Sequence, residues 1–596
     1  MSSDIRDRVS SLSSLQRREL LAQLGRAVSA DARPADEYDV LIMGGGVAGL
    51  TLAMQLKKAR PRLRVIVVER QSHPVPEAAH KVGESTVEIA AHYLRDILGL
   101  GGHLESEQLT KFGLRMFFSD GDNTDLARRV EVGSSVFPPL RTYQLDRGRL
   151  ENALGAAVER LDVTLLTDAR VTAVELDEIG AALHRATVEQ AGERREVTAH
   201  WVVDASGRHR VLQGKLGLAK PVGHKANACW FRVGHPIDIK DWTDDPAWHA
   251  RVPVGDRALS TNHLMGPGYW VWMIRLASGS ISIGVVTDPD RHSFSEMNTF
   301  DRALTWLRRH EPQCAQAIEQ QRHKVQDFRV MKDYSYGCKQ VYSGSGRWCL
   351  TGEAGVFLDP LYSPGLDMIA ISNDLVTDLI CRWNNGEDVT HRAAIHDRLF
   401  LTVAEIWLAI YERQYVLMDN PQVMVSKIIW DTAFYWGVFG QLYFHRCFRT
   451  LFDQPALANS LTRLAELSNR MQAFFREWHA IDEPDLEADF IDLYSPLQFM
   501  VDLHEGMAAE LTAEQFEIQF VENVQTFEKL AGQLVSTVIG AYADSSERRA
   551  VFDQIRMWQT DRRIVELLTA YRRNGKAQAP SDGWMTLARR KLEVIR

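Results

Sequence analysis

The chain has 596 residues, of which 45% are hydrophobic and 25% are charged, and its formal net charge is −9. This length predicts two or three sub-domains, and the ordinary composition excludes a fibrous or disordered protein. The mildly acidic balance excludes a protein built to bind a nucleic-acid backbone, because such proteins carry a clustered excess of Lys and Arg.

Cysteine usage and the N-terminus predict a cytoplasmic protein. The six cysteines are scattered and form no C-x-x-C pair, which is typical of a reducing compartment and argues against a disulfide framework or a metal site. The first residues have no basic region followed by an apolar stretch, so we expect no signal peptide. Residues 428–444 are strongly apolar but include Asp431 and Gln441, which favours a buried helix over a transmembrane segment. Two alternatives remain for this segment: it forms the wall of an apolar tunnel, or it forms a surface that lies on a membrane.

Residues 1–36 are predicted to form an N-terminal helix and a linker. Leu15, Leu20, Leu21 and Leu24 recur at helical spacing, and Pro34 lies in the stretch before the first strand. The helix is either an amphipathic cap or one that resembles the short helices preceding modules of nonribosomal peptide assembly lines.

A dinucleotide-binding unit follows. The apolar run 39–43 ends in GGGVAG at residues 44–49, a helical stretch covers residues 50–60, and the apolar run 65–68 is followed by an acid. This order is the pattern that binds a dinucleotide: a strand, a G-x-G-x-x-G turn, a helix and a second strand followed by an acid. The first glycine makes the turn, the second admits the pyrophosphate, the third permits close packing, and the acid accepts a ribose hydroxyl. We therefore assign to the cofactor Gly44, Gly46, Val47, Ala48, Gly49 and Glu69.

Two later segments favour FAD over NAD. Residues 201–207 (WVVDASG) and 350–355 (LTGEAG) each read as a strand that ends in a tight turn, and both resemble signature elements of the flavoprotein monooxygenase superfamily. The resemblance implies that Asp204 and Glu353 approach the cofactor, and we also assign Arg70 and Arg149 to it. The sequence has a single G-x-G-x-x-G, so we expect a separate reductase to supply reduced FAD.

The whole chain is predicted to be an α/β protein in three regions, the first being residues 1–36. Residues 37–374 should form a Rossmann-like FAD-binding domain of the glutathione-reductase type with a mixed-sheet substrate region, because runs such as 163–166 and 280–286 alternate with helical pieces. Residues 375–596 should form a helical domain, since strand signals nearly vanish there.

Three further motifs resemble the flavin-dependent halogenases that act on phenols and pyrroles. Residues 80–85 read HKVGES, residues 357–365 read FLDPLYSPG and match F-x-x-P-x-x-S-x-G, and residues 270–274 read WVWMI and match the first part of W-x-W-x-I-P. The resemblance covers roughly residues 38–374. It implies chlorination or bromination of an electron-rich phenolic or pyrrolic ring, free or tethered to a carrier protein, in secondary-metabolite biosynthesis.

The resemblance also implies roles for single residues. Reduced FAD and oxygen convert a halide to hypohalous acid, and a lysine matched by Lys81 holds the hypohalous acid beside the ring; partial burial lowers the pKa of such a lysine. Glu84 and Ser85 would position the chain against the flavin. Trp270 and Trp272 would form the floor of the chamber, although core packing explains two strand aromatics on one face equally well.

Two positions depart from the family pattern, and a third indicates the substrate class. Arg275 replaces the proline of W-x-W-x-I-P. Pro364 has no N–H for the halide, which costs about 1.5–3 kcal/mol of binding and leaves Ser363, the Gly365 N–H and the helix dipole to form the halide site. Tyr362 stands where tryptophan-specific members have a carboxylate, and an aromatic residue there is typical of the phenol and pyrrole members, so free tryptophan is not the expected substrate.

Two alternatives stay open at this point. Pro364 and Arg275 also fit an aromatic monooxygenase on the same scaffold, because a weak halide site leaves activated oxygen free to hydroxylate the ring. The other alternative is a catalytically silent flavin-binding partner in a biosynthetic complex. Turnover of an aromatic substrate by the reduced enzyme discriminates the silent partner from the two enzymes.

Overall fold

The computed structural model describes residues 34–77, 81–177, 182–482 and 488–542. The predicted helix around residues 15–24 and most of the linker lie outside these ranges, as does His80 of the HKVGES motif. Strands alternate with helices as far as residue 350, and helices dominate residues 365–542, whereas residues 543–596 of the predicted helical domain lie outside the described ranges. The mixed α/β class that the sequence predicts is thus confirmed.

Short strands build two large sheets. Apolar runs such as VLIM at residues 40–43 and VIVV at residues 65–68 are fully buried, as expected for parallel strands that are covered on both faces. In chain order the strands are β1 (Glu37–Met43), β2 (Val65–Val68), β3 (Leu109–Lys111), β4 (Leu114–Phe118), β5 (Glu131–Gly133), β6 (Thr142–Gln144), β7 (Thr164–Leu166), β8 (Ala169–Glu175), β9 (His184–Gln190), β10 (Glu193–Asp204), β11 (Ala219–Lys220), β12 (Asn227–Val233), β13 (Thr261–Gly266), β14 (Tyr269–Arg275), β15 (Ile281–Thr287), β16 (Arg329–Met331), β17 (Gly337–Cys338), β18 (Tyr342–Ser343), β19 (Trp348–Leu350) and β20 (Phe490–Asp492).

The first sheet carries the dinucleotide-binding unit. Its order is β18–β19–β10–β1–β2–β7, with β9 also paired to β10 and β8 paired to β9. Strand β1 is parallel to both β2 and β10, and β10 is parallel to β19. The carboxyl ends of these strands therefore meet at one edge, where ligands bind in open parallel sheets. This is the Rossmann-like arrangement that the sequence predicts.

The second sheet has the order β16–β12–β15–β14–β13–β4–β5–β20 and is mostly antiparallel. Side chains alternate between its faces along β14. Trp270 and Trp272 belong to the main hydrophobic core, whereas Val271 and Met273 belong to a second, smaller core that includes residues of the helices Phe300–His310 and Pro312–Gln320. The period of two thus directs both tryptophans toward the interior of the molecule.

The helices cover the first sheet and form most of the C-terminal region. In chain order the α-helices are α1 (Val47–Ala59), α2 (Glu88–His92), α3 (Gly101–Glu107), α4 (Arg147–Arg160), α5 (Val211–Lys215), α6 (Pro246–Ala250), α7 (Phe300–His310), α8 (Pro312–Gln320), α9 (Gly365–Asn384), α10 (Thr390–Tyr411), α11 (Pro421–Phe434), α12 (Gln441–Phe444), α13 (Pro455–His479), α14 (Gln498–Gly506) and α15 (Ala513–Tyr542). Helix α11 continues through a π-helical turn at Tyr435–Gly440 into α12. This segment is almost entirely buried, and none of the helices in the described part of the chain has the length and apolar character needed to span a membrane.

The predicted division between residues 374 and 375 falls inside a continuous element. Helix α9 runs across it, and β20, from the C-terminal region, pairs with β5 in the second sheet. The main hydrophobic core also contains residues from both sides of this division. The two regions are therefore packed together, and their division into domains stays a prediction.

Candidate active site

The loop between β1 and α1 forms one end of the site. A Cβ on Gly44, whose φ is +115°, would lie 2.3 Å from the carbonyl oxygen of Ala205, and a Cβ on Gly49 would lie 2.0 Å from the carbonyl oxygen of Gly44. A Cβ on Gly46 would meet nothing within 4 Å. Gly44 and Gly49 therefore permit close packing, whereas Gly46 leaves open the space at the N-terminus of α1, where a pyrophosphate binds.

Glu69 lies beside this loop at the end of β2. Its Oε2 accepts a hydrogen bond from the Gly45 N–H at 2.6 Å, and its Oε1 accepts one from the Gln71 N–H at 2.8 Å. A cleft that we call the outer cavity runs past these groups. A cleft with bare backbone at the phosphate end and a carboxylate beside it fits the adenosine diphosphate part of a dinucleotide. Its lining includes Gly44, Gly46, Glu69, Arg70, Lys81 and His209.

Two predicted cofactor residues have other partners. Asp204 is buried, and its carboxylate accepts the backbone N–H groups of Ser206 at 2.9 Å and Leu212 at 2.7 Å. It therefore holds the turn after β10, and the residues of that turn, 205–207, line the outer cavity while Asp204 itself does not. Arg149 pairs with Glu77 at 3.0 Å and is not part of that lining.

A second cavity, the central cavity, begins at the first turn of α1. It brings together most of the residues that the halogenase-like motifs single out, and its walls are largely apolar. Such a space, next to the phosphate loop, fits the isoalloxazine ring of a flavin. Burial raises the pKa of Glu353 in its wall, against the opposing effect of Arg208. The predicted site residues that line the central cavity are Val47, Glu84, Ser85, Trp270, Trp272, Glu353, Ser363, Pro364 and Gly365.

The two tryptophans of the central cavity are fixed by hydrogen bonds. Their ring centroids are 5.7 Å apart. The Trp270 indole N–H donates to the Tyr415 hydroxyl at 2.9 Å, and the Trp272 indole N–H donates to Ser282 Oγ at 3.2 Å. Tyr415 in turn donates to the buried Asp359 carboxylate at 2.7 Å. These bonds hold two bulky side chains against the cavity, which keeps water out of that wall.

Helix α9 points its N-terminus at the central cavity. Tyr362 and Ser363, just before it, have φ values of +66° and +61°, a strained conformation for residues other than glycine that is typical of functional sites. Pro364 is the N-cap residue, and the N–H groups of Gly365 and Leu366 have no partner within the helix. A Cβ on Gly365 would meet nothing within 4 Å. The open space and the free N–H groups suit a small anion.

Lys81 lies close enough to the central cavity for its charge to oppose the rise in the pKa of Glu353 that burial causes. Its ammonium pairs with the Glu151 carboxylate, which also accepts a hydrogen bond from Arg147 at 2.7 Å. Although burial opposes them, Arg147 and Lys81 lower the pKa of Glu151. Lys81 lines the outer cavity and is not part of the lining of the central cavity. The structure therefore places Lys81 in the lining of the dinucleotide cleft, whereas its match to the halogenase motif predicted a place beside the substrate ring.

A different lysine lies next to the central cavity. Lys111, at the end of β3, is buried, and its ammonium donates to Ser85 Oγ at 2.9 Å and to the carbonyl oxygen of Thr86 at 2.8 Å. Ser85 Oγ is also 2.9 Å from Thr261 Oγ1, and both hydroxyl-bearing residues line the central cavity. Burial lowers the pKa of Lys111 to about 8, against the opposing charges of nearby carboxylates.

Lys111 also faces a third cavity, the distal cavity, on its other side. Most of this lining is apolar or aromatic, and its charged members are Glu88, Lys111 and Asp431. Lys111 is therefore within one hydrogen bond of the central cavity and in direct contact with the distal one. The aromatic members of the distal cavity are Tyr362, Trp407, Tyr435, Trp436 and Tyr494.

Lys111 was missed in the sequence, although a signal for it exists. It stands in the run LTKFGLRMFF at residues 109–118, in which lysine and arginine interrupt apolar and aromatic residues. A charged side chain in such a run is either at an exposed edge or buried with a function. The sequence motif HKVGES drew attention to the lysine at its start, whereas its serine is the residue that contacts Lys111.

Comparisons with known proteins show what this chain is similar to. The family described as FAD binding domain matches residues 37–273. A flavin-dependent halogenase, chlA, from Dictyostelium discoideum is 27% identical over 454 residues, which cover 70% of this chain and 73% of that protein. The chain is an FAD-dependent oxidoreductase related to the flavin-dependent halogenases. FAD is its cofactor, as the sequence predicts.

Two further halogenases extend the comparison. The 1H-pyrrole-2-carbonyl-[peptidyl-carrier protein] chlorinase of Pseudomonas fluorescens is 29% identical over 383 residues, which cover 60% of this chain and 79% of that protein. The crystal structure of halogenase PltM has the same fold, with a TM-score of 0.58 and 15% identity over 83% of this chain and 95% of PltM. The relatives favour halogenation over the aromatic monooxygenase alternative.

Proposed function

We propose that this protein installs chlorine or bromine on an electron-rich phenolic or pyrrolic ring. The observation that carries the proposal is the place of Lys111 between two cavities, one suited to a flavin ring and one to an aromatic substrate. Burying the Lys111 ammonium between these two cavities costs stability, which favours a functional role over a purely structural one.

The proposed cofactor residues are those of the outer and central cavities. Gly44, Gly46 and Glu69 would hold the adenosine diphosphate end of FAD, and the central cavity would hold its ring. When bound in reduced form, FAD supplies the means to convert oxygen and a halide into hypohalous acid. The halide would lie at the Gly365 and Leu366 N–H groups, at the N-terminus of α9.

Lys111 would hold the hypohalous acid. Its ammonium is positioned by Ser85 and Thr86 and lines the cavity in which a ring fits, so it can donate a proton to the oxygen that leaves when the ring takes the halogen. Lys81, which was expected in this role, is proposed instead to contribute positive charge near the FAD phosphates. This assignment follows from its place in the outer cavity.

Partners and location belong to the same proposal. The pyrrole chlorinase is named for a substrate carried on a peptidyl carrier protein, and we propose a carrier-bound or free aromatic substrate here. A separate reductase would supply reduced FAD. The cysteines in the described ranges are all free, which fits a cytoplasmic enzyme.

The direct test is turnover by the purified protein with a generic flavin reductase, NADH, FAD and oxygen. Phenols, pyrroles and carrier-bound aromatic acyl groups are supplied with chloride and then with bromide. Mass spectrometry should show products with the isotope pattern of the halide supplied. A gain of one oxygen without halide would instead establish a monooxygenase, and no turnover of any ring by the reduced enzyme would establish the silent partner.

A further inference from the structure

The wall of the distal cavity includes the carboxylate of a carboxylate–imidazole pair that the proposed halogen transfer to Lys111 does not use. Glu88, the first residue of α2, lines this cavity together with Lys111. His504, on α14, is fully buried, and its Nε2 lies 3.3 Å from Glu88 Oε1. The pair therefore joins α2, just after the HKVGES motif, to the C-terminal region.

Aromatic rings fix the imidazole of this pair. Trp436 packs against His504 with ring centroids 4.6 Å apart, and Tyr494 packs against it at 5.4 Å. Both aromatic residues also line the distal cavity. The imidazole is thus held in place by the same side chains that would surround a substrate ring, and it can orient the Glu88 carboxylate toward that ring.

The two other candidates for a base are less suitable. Both oxygens of Asp431 are engaged, since Oδ2 pairs with Lys427 at 2.6 Å and Oδ1 accepts from Gln472 at 2.7 Å. Asp367 accepts the Ala90 N–H at 2.8 Å and is not part of the cavity lining. Although burial opposes it, the contact with His504 lowers the pKa of Glu88, so the carboxylate is ionised.

We propose that Glu88, positioned by His504, takes the hydroxyl proton of the substrate, and that the substrate is therefore a phenol and not a pyrrole. This inference rests on the proposed halogenase function. A phenol has a pKa of about 10, like a tyrosine side chain, so a carboxylate that receives its proton as the ring reacts strengthens the ring as a nucleophile. A pyrrole ring reacts without losing its N–H proton and gains nothing from this base.

The reaction balances with these two groups and hypohalous acid as the oxidant. The hydroxyl proton passes to Glu88 while a ring carbon forms a bond to the halogen. The halogen–oxygen bond breaks, and the leaving hydroxide takes a proton from the Lys111 ammonium and becomes water. The hydrogen on the substituted carbon then passes as a proton to the Lys111 amine, and Glu88 returns its proton to the phenolate oxygen. The ring carbon is oxidised, the halogen is reduced, and both protein groups are restored.

The test compares variants on phenols of graded acidity. Glu88→Gln, His504→Gln and the control His92→Gln, which is on the same helix α2 but outside the distal cavity, are assayed with fluorinated phenols that keep an open ring position. Glu88→Gln should lose roughly 100-fold or more in kcat/KM with the least acidic phenol, and almost nothing with phenols that are already ionised at the assay pH. His504→Gln should show the same trend at a smaller amplitude, and His92→Gln should show no trend.

A loss that is equal for every phenol would overturn the inference, and so would efficient halogenation of pyrroles with the same dependence on Glu88. Should Glu88→Gln fail to fold, the unmodified enzyme provides the test by itself. Because Glu88 would remove the hydroxyl proton, un-ionised phenols remain substrates, and kcat/KM should not rise in proportion to the fraction of each phenol that is ionised in solution. A proportional rise would overturn the inference. If the unmodified enzyme halogenates no ring at all, the proposed function itself fails. If the unmodified enzyme halogenates phenols and Glu88→Gln loses the same factor with each of them, only the role of Glu88 fails.

Discussion

Replacement of Lys111 by methionine should make the protein more stable at neutral pH and less stable at alkaline pH. Burial lowers the pKa of Lys111 from 10.5 to about 8. Between these two values the unfolded chain binds a proton that the folded protein does not, so the stability of the unmodified protein rises with pH. The shift corresponds to a cost of about 3 kcal/mol at pH 7, which falls to about 1 kcal/mol at pH 9.5.

Methionine removes that cost but also removes the hydrogen bonds to Ser85 and Thr86, each worth about 1 kcal/mol. Lys111→Met should therefore be about 1 kcal/mol more stable than the unmodified protein at pH 7 and slightly less stable at pH 9.5. Urea unfolding followed by fluorescence at several pH values measures the difference, with Lys81→Met as the reference for loss of a lysine elsewhere. A stability difference that does not change with pH would refute the reasoning.

Three other predictions follow from the geometry of the cavities. Gly46→Leu should leave the melting temperature nearly unchanged, because its side chain would enter only open space in the phosphate site, yet it should abolish FAD binding, measured by flavin fluorescence. Gly49→Ala, in contrast, should fail to fold, because its Cβ would lie 2.0 Å from the carbonyl oxygen of Gly44. Pro364→Ala restores an N–H at the N-cap of α9, so the halide KM should fall by about tenfold, and an unchanged KM would show that this position does not contact the halide. Asp359→Ala leaves His224, Tyr334 and Tyr415 without their shared acceptor. The substitution should therefore lower the free energy of unfolding by about 3 kcal/mol or more. A decrease in this free energy below about 1 kcal/mol would show that water replaces the carboxylate.

The dinucleotide-binding unit was predictable because it is local. Its glycines, helix and second strand lie within about thirty residues of each other, and each has a fixed geometric task that selects a residue type. The W-x-W and F-x-x-P-x-x-S-x-G motifs were informative for the same reason, and their residues line one cavity. The helical character of the C-terminal region also follows from local spacing.

The lysine between the cavities was not predictable in this way. Lys111 acquires its place through contacts with Ser85, 26 residues earlier, and through a cavity whose other wall comes from residues 428–436. Likewise, the Glu88–His504 contact joins residues 416 positions apart. A motif search weighs neighbours in sequence, so it selected the lysine of HKVGES, whose side chain turns toward Glu151 and the outer cavity.

Strand β20 shows the same limit for the fold. Its three residues carry no strong strand signal within a helical region, yet they pair with β5 in register from Phe490 to Asp492. Pairing across more than 350 residues depends on the edge that β5 offers, which local propensity does not encode.

The measurement that tests the central claim most directly separates formation of hypohalous acid from its use. Lys111→Met and Lys81→Met are assayed with saturating FAD, a reductase and bromide, in the presence of a phenol and of an excess of a soluble trap that removes free hypobromous acid. The proposed role of Lys111 predicts that Lys111→Met brominates the trap and no longer the phenol, whereas Lys81→Met, once saturated with FAD, still brominates the phenol. Phenol bromination by Lys111→Met at the unmodified rate in the presence of the trap, or its loss in Lys81→Met alone, would contradict the claim that Lys111 carries the halogen from the flavin cavity to the ring.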